Sequence, residues 1–160
     1  MSYYIKAIGI KDERISIFEG CFPRMLLYNM CFKNKGGKVQ DLEKGDKLVI
    51  YCIKNGIREF PQGGFIGIQE VLSKVYKDVN FFEKPWSHVV NIQPLIYSLR
   101  NIITLKGLKS WNNKSKKLEI ALRARLQAIG GLWEIDKSDY EQFLNEFERK
   151  IEEQFKFGST

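Results

Sequence analysis

The chain has 160 residues, 44% of them apolar and 28% charged, a balance that excludes a disordered, collagenous or coiled-coil protein and suits one globular domain over 1–160. A formal charge of +7 points to a polyanionic partner, nucleic acid first, with a lysine-rich surface of no particular charge function as the plain alternative. No apolar run approaches the roughly 18 to 20 residues of a membrane span, and Met1-Ser2-Tyr3-Tyr4-Ile5-Lys6 lacks the pattern of a secretory signal, so no membrane partner and a cytoplasmic address are expected.

Tyr3 to Ile10 is β-branched and aromatic and predicts an opening strand. Lys11 to Lys44 holds an apolar cluster (Phe22, Met25, Leu26, Leu27, Tyr28, Met30) and a Gly36-Gly37 turn, which predicts a short helix and loops. Gly45-Asp46 is a turn signal, and Lys47 to Ile53 after it predicts a second strand whose unbroken apolar run needs cover on both faces. Lys54 to Gly64 is a connecting loop with Gly56, Pro61, Gly63 and Gly64. Phe65 to Val71 predicts a third strand, in which Gly67 signals a bulge or a close backbone approach. His88 to Gln93 predicts a fourth, stopped by Pro94.

Ile120 to Ile129 is ambiguous. Ile120, Leu122, Ala124, Leu126 and Ala128 alternate like a strand with Arg123 and Arg125 opposite, while the Ala, Leu and Arg content also suits a helix; the alternation favours strand. Ser138-Asp139-Tyr140-Glu141 reads as a capping box. It opens an amphipathic helix with Tyr140, Phe143, Leu144, Phe147, Ile151 and Phe155 on one face and an acidic outer face, ending near Gly158. Strands interleaved with irregular helical pieces imply an α+β mixed sheet or small barrel.

Catalytic signatures are missing. There is no phosphate loop and no dinucleotide-binding glycine fingerprint. The three cysteines, Cys21, Cys31 and Cys52, form no C-x-x-C pair and read as reduced, mostly buried thiols; with His88 the only histidine, no zinc spacing exists, and neither metal nor cofactor is expected. His88 in its strand-like setting reads as structural, and Asp78 with Glu83 as a solvated turn.

Two features point to binding. Arg100 to Arg125 carries Arg100, Lys106, Lys109, Lys114, Lys116, Lys117, Arg123 and Arg125 against the single acid Glu119, with Trp111 in the middle. Cations neutralise phosphates and an exposed aromatic stacks on a base; the other reading is a solvated lysine loop with Trp111 tucked into the core. Tyr76 to Trp86 adds Phe81, Phe82, Pro85 and Trp86, which read as core or as walls of a pocket for a flat ring.

Taken in order, Lys44-Gly45-Asp46-Lys47-Leu48-Val49-Ile50-Tyr51, Gly64 to Val71 and Val75-Tyr76-Lys77-Asp78 resemble the core of the EVE domain, a relative of the YTH and PUA domains. The likeness continues through Val89 to Ile92, Trp111, Leu122-Arg123 and Ile135 to Glu141. It implies an α+β, PUA-like open β-barrel of mostly antiparallel strands with flanking short helices and the C-terminal helix. It also implies a pocket for a modified or flipped base in DNA or RNA, where extrusion is repaid by stacking and hydrogen bonds.

Carried over residue by residue, Gly20-Cys21-Phe22 resembles the superfamily's G-V-W loop, making Phe22 one wall. Tyr51 and Cys52 would lie beside the pocket, Cys52 in place of the usual small polar residue or histidine, with Phe82 and Trp86 as the opposing wall. Arg123 and Arg125 would suit backbone phosphates, and from the basic stretch itself Arg100, Lys109, Trp111 and Lys114 are expected to join them on the nucleic-acid backbone. Two departures stand out. The first strand ends in Ala7-Ile8-Gly9 rather than the Ser- or Asn-bearing turn that reads the base edge, and the stretch from Phe22 to Gly45 is longer than usual.

The expected function is therefore a nucleic-acid binder that recognises a modified or flipped base and is not an enzyme. Its rivals are an RNA-binding PUA-like module without modification preference, a nuclease or base-processing enzyme, and an interaction module in a defence or toxin–antitoxin system.

Overall fold

A computed structural model describes residues 1–33, 37–78, 86–124, 126 and 131–158, with side chains described as far as 153. Among these residues seven strands form one sheet: β1 (Tyr3–Ile8), β2 (Asn29–Phe32), β3 (Lys47–Cys52), β4 (Gly64–Val71), β5 (Tyr76–Lys77), β6 (His88–Tyr97) and β7 (Leu132–Ile135). Among the described residues four helices accompany them: α1 (Phe22–Leu27), α2 (Leu105–Lys109), α3 (Lys116–Arg123) and α4 (Lys137–Gly158). A 3₁₀ turn spans Gly37–Asp41. The strand order is β2-β6-β4-β3-β1-β7, with β5 also on β6. β1 and β3 run parallel and every other pair antiparallel, so the sheet is mixed as expected.

The central strand explains the architecture. Every residue of β3 is buried, and its alternation sends Leu48, Ile50 and Cys52 into an inner core but Val49 and Tyr51 into an outer one. The inner core lies in the concavity of the sheet and takes in Phe22, Met25 and Leu26 of α1. The outer core packs the convex face against Leu108 of α2, Leu118 and Ala121 of α3, and Phe143 and Phe147 of α4. The sheet curls so far that distant strands meet: the Lys6 ammonium of β1, next to last in the strand order, lies 5.1 Å from the Phe32 ring of β2 at the other end.

Several local expectations hold. The carboxylate of Asp46 closes the Gly45-Asp46 turn by accepting from the Ser2 amide at 2.8 Å and the Glu43 amide at 2.9 Å. Gly67 marks a close approach, since a Cβ there would sit 2.2 Å from Cδ1 of Tyr97 and 2.3 Å from the Ile96 carbonyl. A bulge accompanies it on each side, against β3 and against β6.

Three expectations are corrected. Pro94 does not stop β6, because the register slips between Ile68 and Gln69 and the proline falls at that irregularity; a missing N–H is tolerated where the ladder is already broken. Of the stretch read as a strand over Ile120 to Ile129, Ile120 to Arg123 belong to α3, and 125 and 127–129 lie outside the described residues. Ser115 caps the helix by accepting from the Leu118 amide at 3.1 Å, Leu118 and Ala121 are buried on one face, and Ile120 is 60% exposed, which a strand would have placed beside Leu122. The capping box of α4 lies two residues earlier than the sequence suggests: Asp139, not Glu141, bonds back to the cap amide, that of Asp136, at 2.9 Å. Among the described residues no helix is long and apolar enough to cross a membrane.

Candidate functional site

The expected pocket residues divide between the two cores. Phe22 opens α1 and is 6% exposed inside the inner core, beside the strand that carries Cys52. Tyr51 faces the other way. Its ring lies 4.9 Å from Phe65, which lies 4.8 Å from Phe143, so it belongs to the outer core under α4. Adjacent residues of an extended strand cannot face one space, and the expectation that Tyr51 and Cys52 flank one pocket is corrected on that ground. Trp86 is half-buried against the inner core, and Phe82 lies outside the described residues.

What gathers at Trp86 is a group that includes an unforeseen residue. Lys6 is fully buried on the inner side of β1, with Nζ 5.1 Å from the Phe32 ring and 5.6 Å from the Trp86 ring. One of its protons goes to the Ala7 carbonyl at 3.0 Å. Burial pulls its pKa down to about 8, an effect that the nearby Cys31 thiolate would only partly oppose. Burial in turn pushes the Cys31 thiol up to about 12, so it rests protonated. His88 pairs across the sheet with Phe32 and keeps a buried Nδ1 without a partner among the described residues. The signal for Lys6 was a lysine at an alternate position of an apolar strand, in phase with Tyr4 and Ile8.

A second buried polar group braces α1. Nε2 of Gln69 donates to the Met25 carbonyl at 2.8 Å and to the Tyr97 hydroxyl at 2.7 Å, and that hydroxyl donates to the Leu26 carbonyl. Two last-turn carbonyls of the helix are thus satisfied from inside the sheet, which holds Phe22 in place.

The basic stretch is less uniform than its sequence. Arg100, Lys109 and Arg123 are exposed, whereas Arg125 lies outside the described residues. Lys114 turns inward and donates to the Lys109 carbonyl at 2.8 Å and the Trp111 carbonyl at 2.6 Å, tying the loop between α2 and α3. Lys117 pairs with Glu134 at 3.1 Å and Asp136 at 3.6 Å. Trp111 is half-buried, edge-on to Phe143 at 5.0 Å; of its two readings, the contact seen is the one with the core.

A mixed sheet curled into an open barrel, with a short helix plugging its concavity and helices on its back, is a PUA-like α+β fold. The chain belongs to the EVE domain family, whose model matches residues 31–146. Solved structures share the fold. A hypothetical protein from Leishmania major aligns with a TM-score of 0.59 at 18% identity, covering 94% of this chain and 97% of its own. Human THYN1, solved in complex with 5-methylcytosine-containing DNA, aligns at 0.59 and 13% identity over 91% of this chain and 96% of its own. A Pseudomonas syringae protein aligns at 0.55 and 14% identity over 90% and 98%. No curated protein matches the chain.

Proposed function

We propose that this EVE domain binds nucleic acid and recognises a modified or flipped base in the inner core beside Trp86. The observation that carries the reading is the group formed by Phe32, Trp86 and Lys6: two aromatic rings and a buried cation where a half-buried tryptophan packs on the inner core. Rings supply stacking and a buried polar group supplies a hydrogen bond, which together repay extrusion of a base. Human THYN1, of the same fold, was solved on methylated DNA, and that supports the same partner here. Arg100, Lys109 and Arg123 are then the cations that meet phosphates, with Phe22 a support of the inner wall and Tyr51 a support of the outer core.

This is a binding module rather than an enzyme, a reading supported by thiols that burial holds protonated and therefore unreactive. The test is a titration with short DNA and RNA oligomers, modified and unmodified, at two salt concentrations. A preference of at least about tenfold for a modified base is expected. A steep salt slope with no such preference would leave only a generic polyanion binder.

A further inference from the structure

Four charged residues are buried among the described residues, Lys6, Asp46, Lys47 and Asp139. Three are tied by the fold. Asp46 accepts from two backbone amides, Lys47 meets Glu70 at 2.7 Å, and Asp139 accepts from Ser115 and the Asp136 amide. Lys6 differs: it donates to the Ala7 carbonyl and otherwise faces the Phe32 and Trp86 rings, and no carboxylate among the described residues pairs with it. A salt bridge would hold a lysine protonated and inert, whereas a dry place without a counter-charge favours the neutral amine, which is a nucleophile. With its pKa near 8, roughly a tenth of Lys6 is neutral at pH 7, a few hundred times the share of an ordinary lysine. Burial keeps the Cys31 and Cys52 thiols protonated, so of these three buried groups the amine is the reactive one.

We propose that Lys6 captures an aldehyde on nucleic acid, the ring-opened sugar of an abasic site, as a reversible imine. The proposal rests on the reading above in placing an extruded nucleotide beside Trp86. An abasic site has no base to pair or stack, so it leaves the duplex at lower cost than an intact nucleotide, and its slim open chain fits where a base would. Its C1′ aldehyde is the electrophile. The neutral amine of Lys6 attacks that carbon, a C–N bond forms as the carbonyl π bond opens, and one N–H proton moves to the oxygen to give a carbinolamine. The second N–H proton then leaves with that hydroxyl as water, and a C=N bond joins protein to DNA. The exchange consumes no oxidant or reductant, and water reverses it.

The test uses the full chain, its K6M variant and a short duplex with one abasic site, made by enzymatic removal of a single uracil. Sodium cyanoborohydride reduces any imine to a stable amine, a denaturing gel separates the protein–DNA adduct, and peptide mapping locates it. Wild type is expected to form an adduct carried mainly by Lys6, and none with a duplex bearing a tetrahydrofuran analogue, which has no aldehyde. K6M, folded by its melting curve, is expected to form at least about tenfold less. Heat-denatured wild type is expected to lose the bias towards Lys6, because the other lysines are then equally open. An adduct spread over surface lysines or the amino terminus, with none on Lys6, overturns the proposal whether or not K6M folds. So does a K6M yield equal to that of wild type. A preference for modified over unmodified duplexes with Lys6 left unlabelled overturns the capture alone. No preference and no Lys6 adduct together overturn the placing of a nucleotide beside Trp86.

Discussion

Lys6 sits in the interior at a cost to folding that has a definite pH dependence. Its folded pKa of about 8 lies below the ordinary 10.5, so the unfolded chain holds this proton more tightly and the penalty is fully present below about pH 8. It is relieved as the pH rises from there toward 10.5. The shift corresponds to an upper bound of about 3 kcal/mol. K6M is therefore expected to be more stable than wild type at pH 7 by about 1–3 kcal/mol in urea denaturation, with the gap narrowing through that window. The high pKa values of Cys52 and the tyrosines act equally on both proteins and cancel in the difference, and the Cys31 thiol, which Lys6 pulls down only in part, stays protonated through this window in both. A gap that widens with pH would contradict this account. Lys6 was only half legible in the sequence. Its phase with Tyr4 and Ile8 put it on their face, but that this face is enclosed depends on β2 curling round to bring Phe32 over it, which no local pattern reports. Tyr51 and Cys52 show the reverse: the period of two that separates them was already in the sequence.

At the scale of elements, the fold is joined by a few buried polar groups and by close approaches such as that at Gly67. Asp139 holds the start of α3 to the start of α4 by accepting from the Ser115 amide at 3.0 Å, the Ser115 hydroxyl at 2.5 Å and the Asp136 amide at 2.9 Å. Asp139→Asn turns the amide N–H group of the new side chain toward donors and should cost about 2–3 kcal/mol in chemical denaturation. A cost below about 0.5 kcal/mol would show that the two helix starts are not held by this carboxylate. Gly67→Ala should cost about 2–4 kcal/mol, because the new methyl meets the Tyr97 ring and the rigid Ile96 carbonyl and so disturbs the Gln69–Tyr97 brace on α1. A melting temperature equal to wild type would contradict it. Strands β3 and β4 were legible because burial on both faces leaves long apolar runs. Strands β2 and β7, of four residues each, and the two-residue β5 were not, since partners rather than composition make them strands. α3 was misread because Leu and Ala fit both periods, and its cap at Ser115 lies outside the segment weighed.

For the whole molecule, the net charge of +7 sets long-range attraction to a polyanion, while the arrangement of cations decides which of them touch it. If Arg100, Lys109 and Arg123 each meet a phosphate, replacing any one by Gln should weaken binding to all sequences alike and reduce the salt slope by about one. Lys114→Gln should leave that slope nearly unchanged, because its ammonium is held by the α2–α3 loop. Equal slope changes for Lys114 and Lys109 would show that the loop does not hold that charge in solution. The basic stretch was legible as composition but not as a surface, since Lys114, Lys117 and Trp111 are engaged by the protein itself.

The most direct test of base recognition beside Trp86 compares wild type with Trp86→Ala on modified and unmodified duplexes at one salt concentration. The account predicts that wild type favours the modified duplex by at least about tenfold and that the variant, still folded by its melting curve, binds both at the unmodified level with an unchanged salt slope. A variant that keeps the full preference would contradict it.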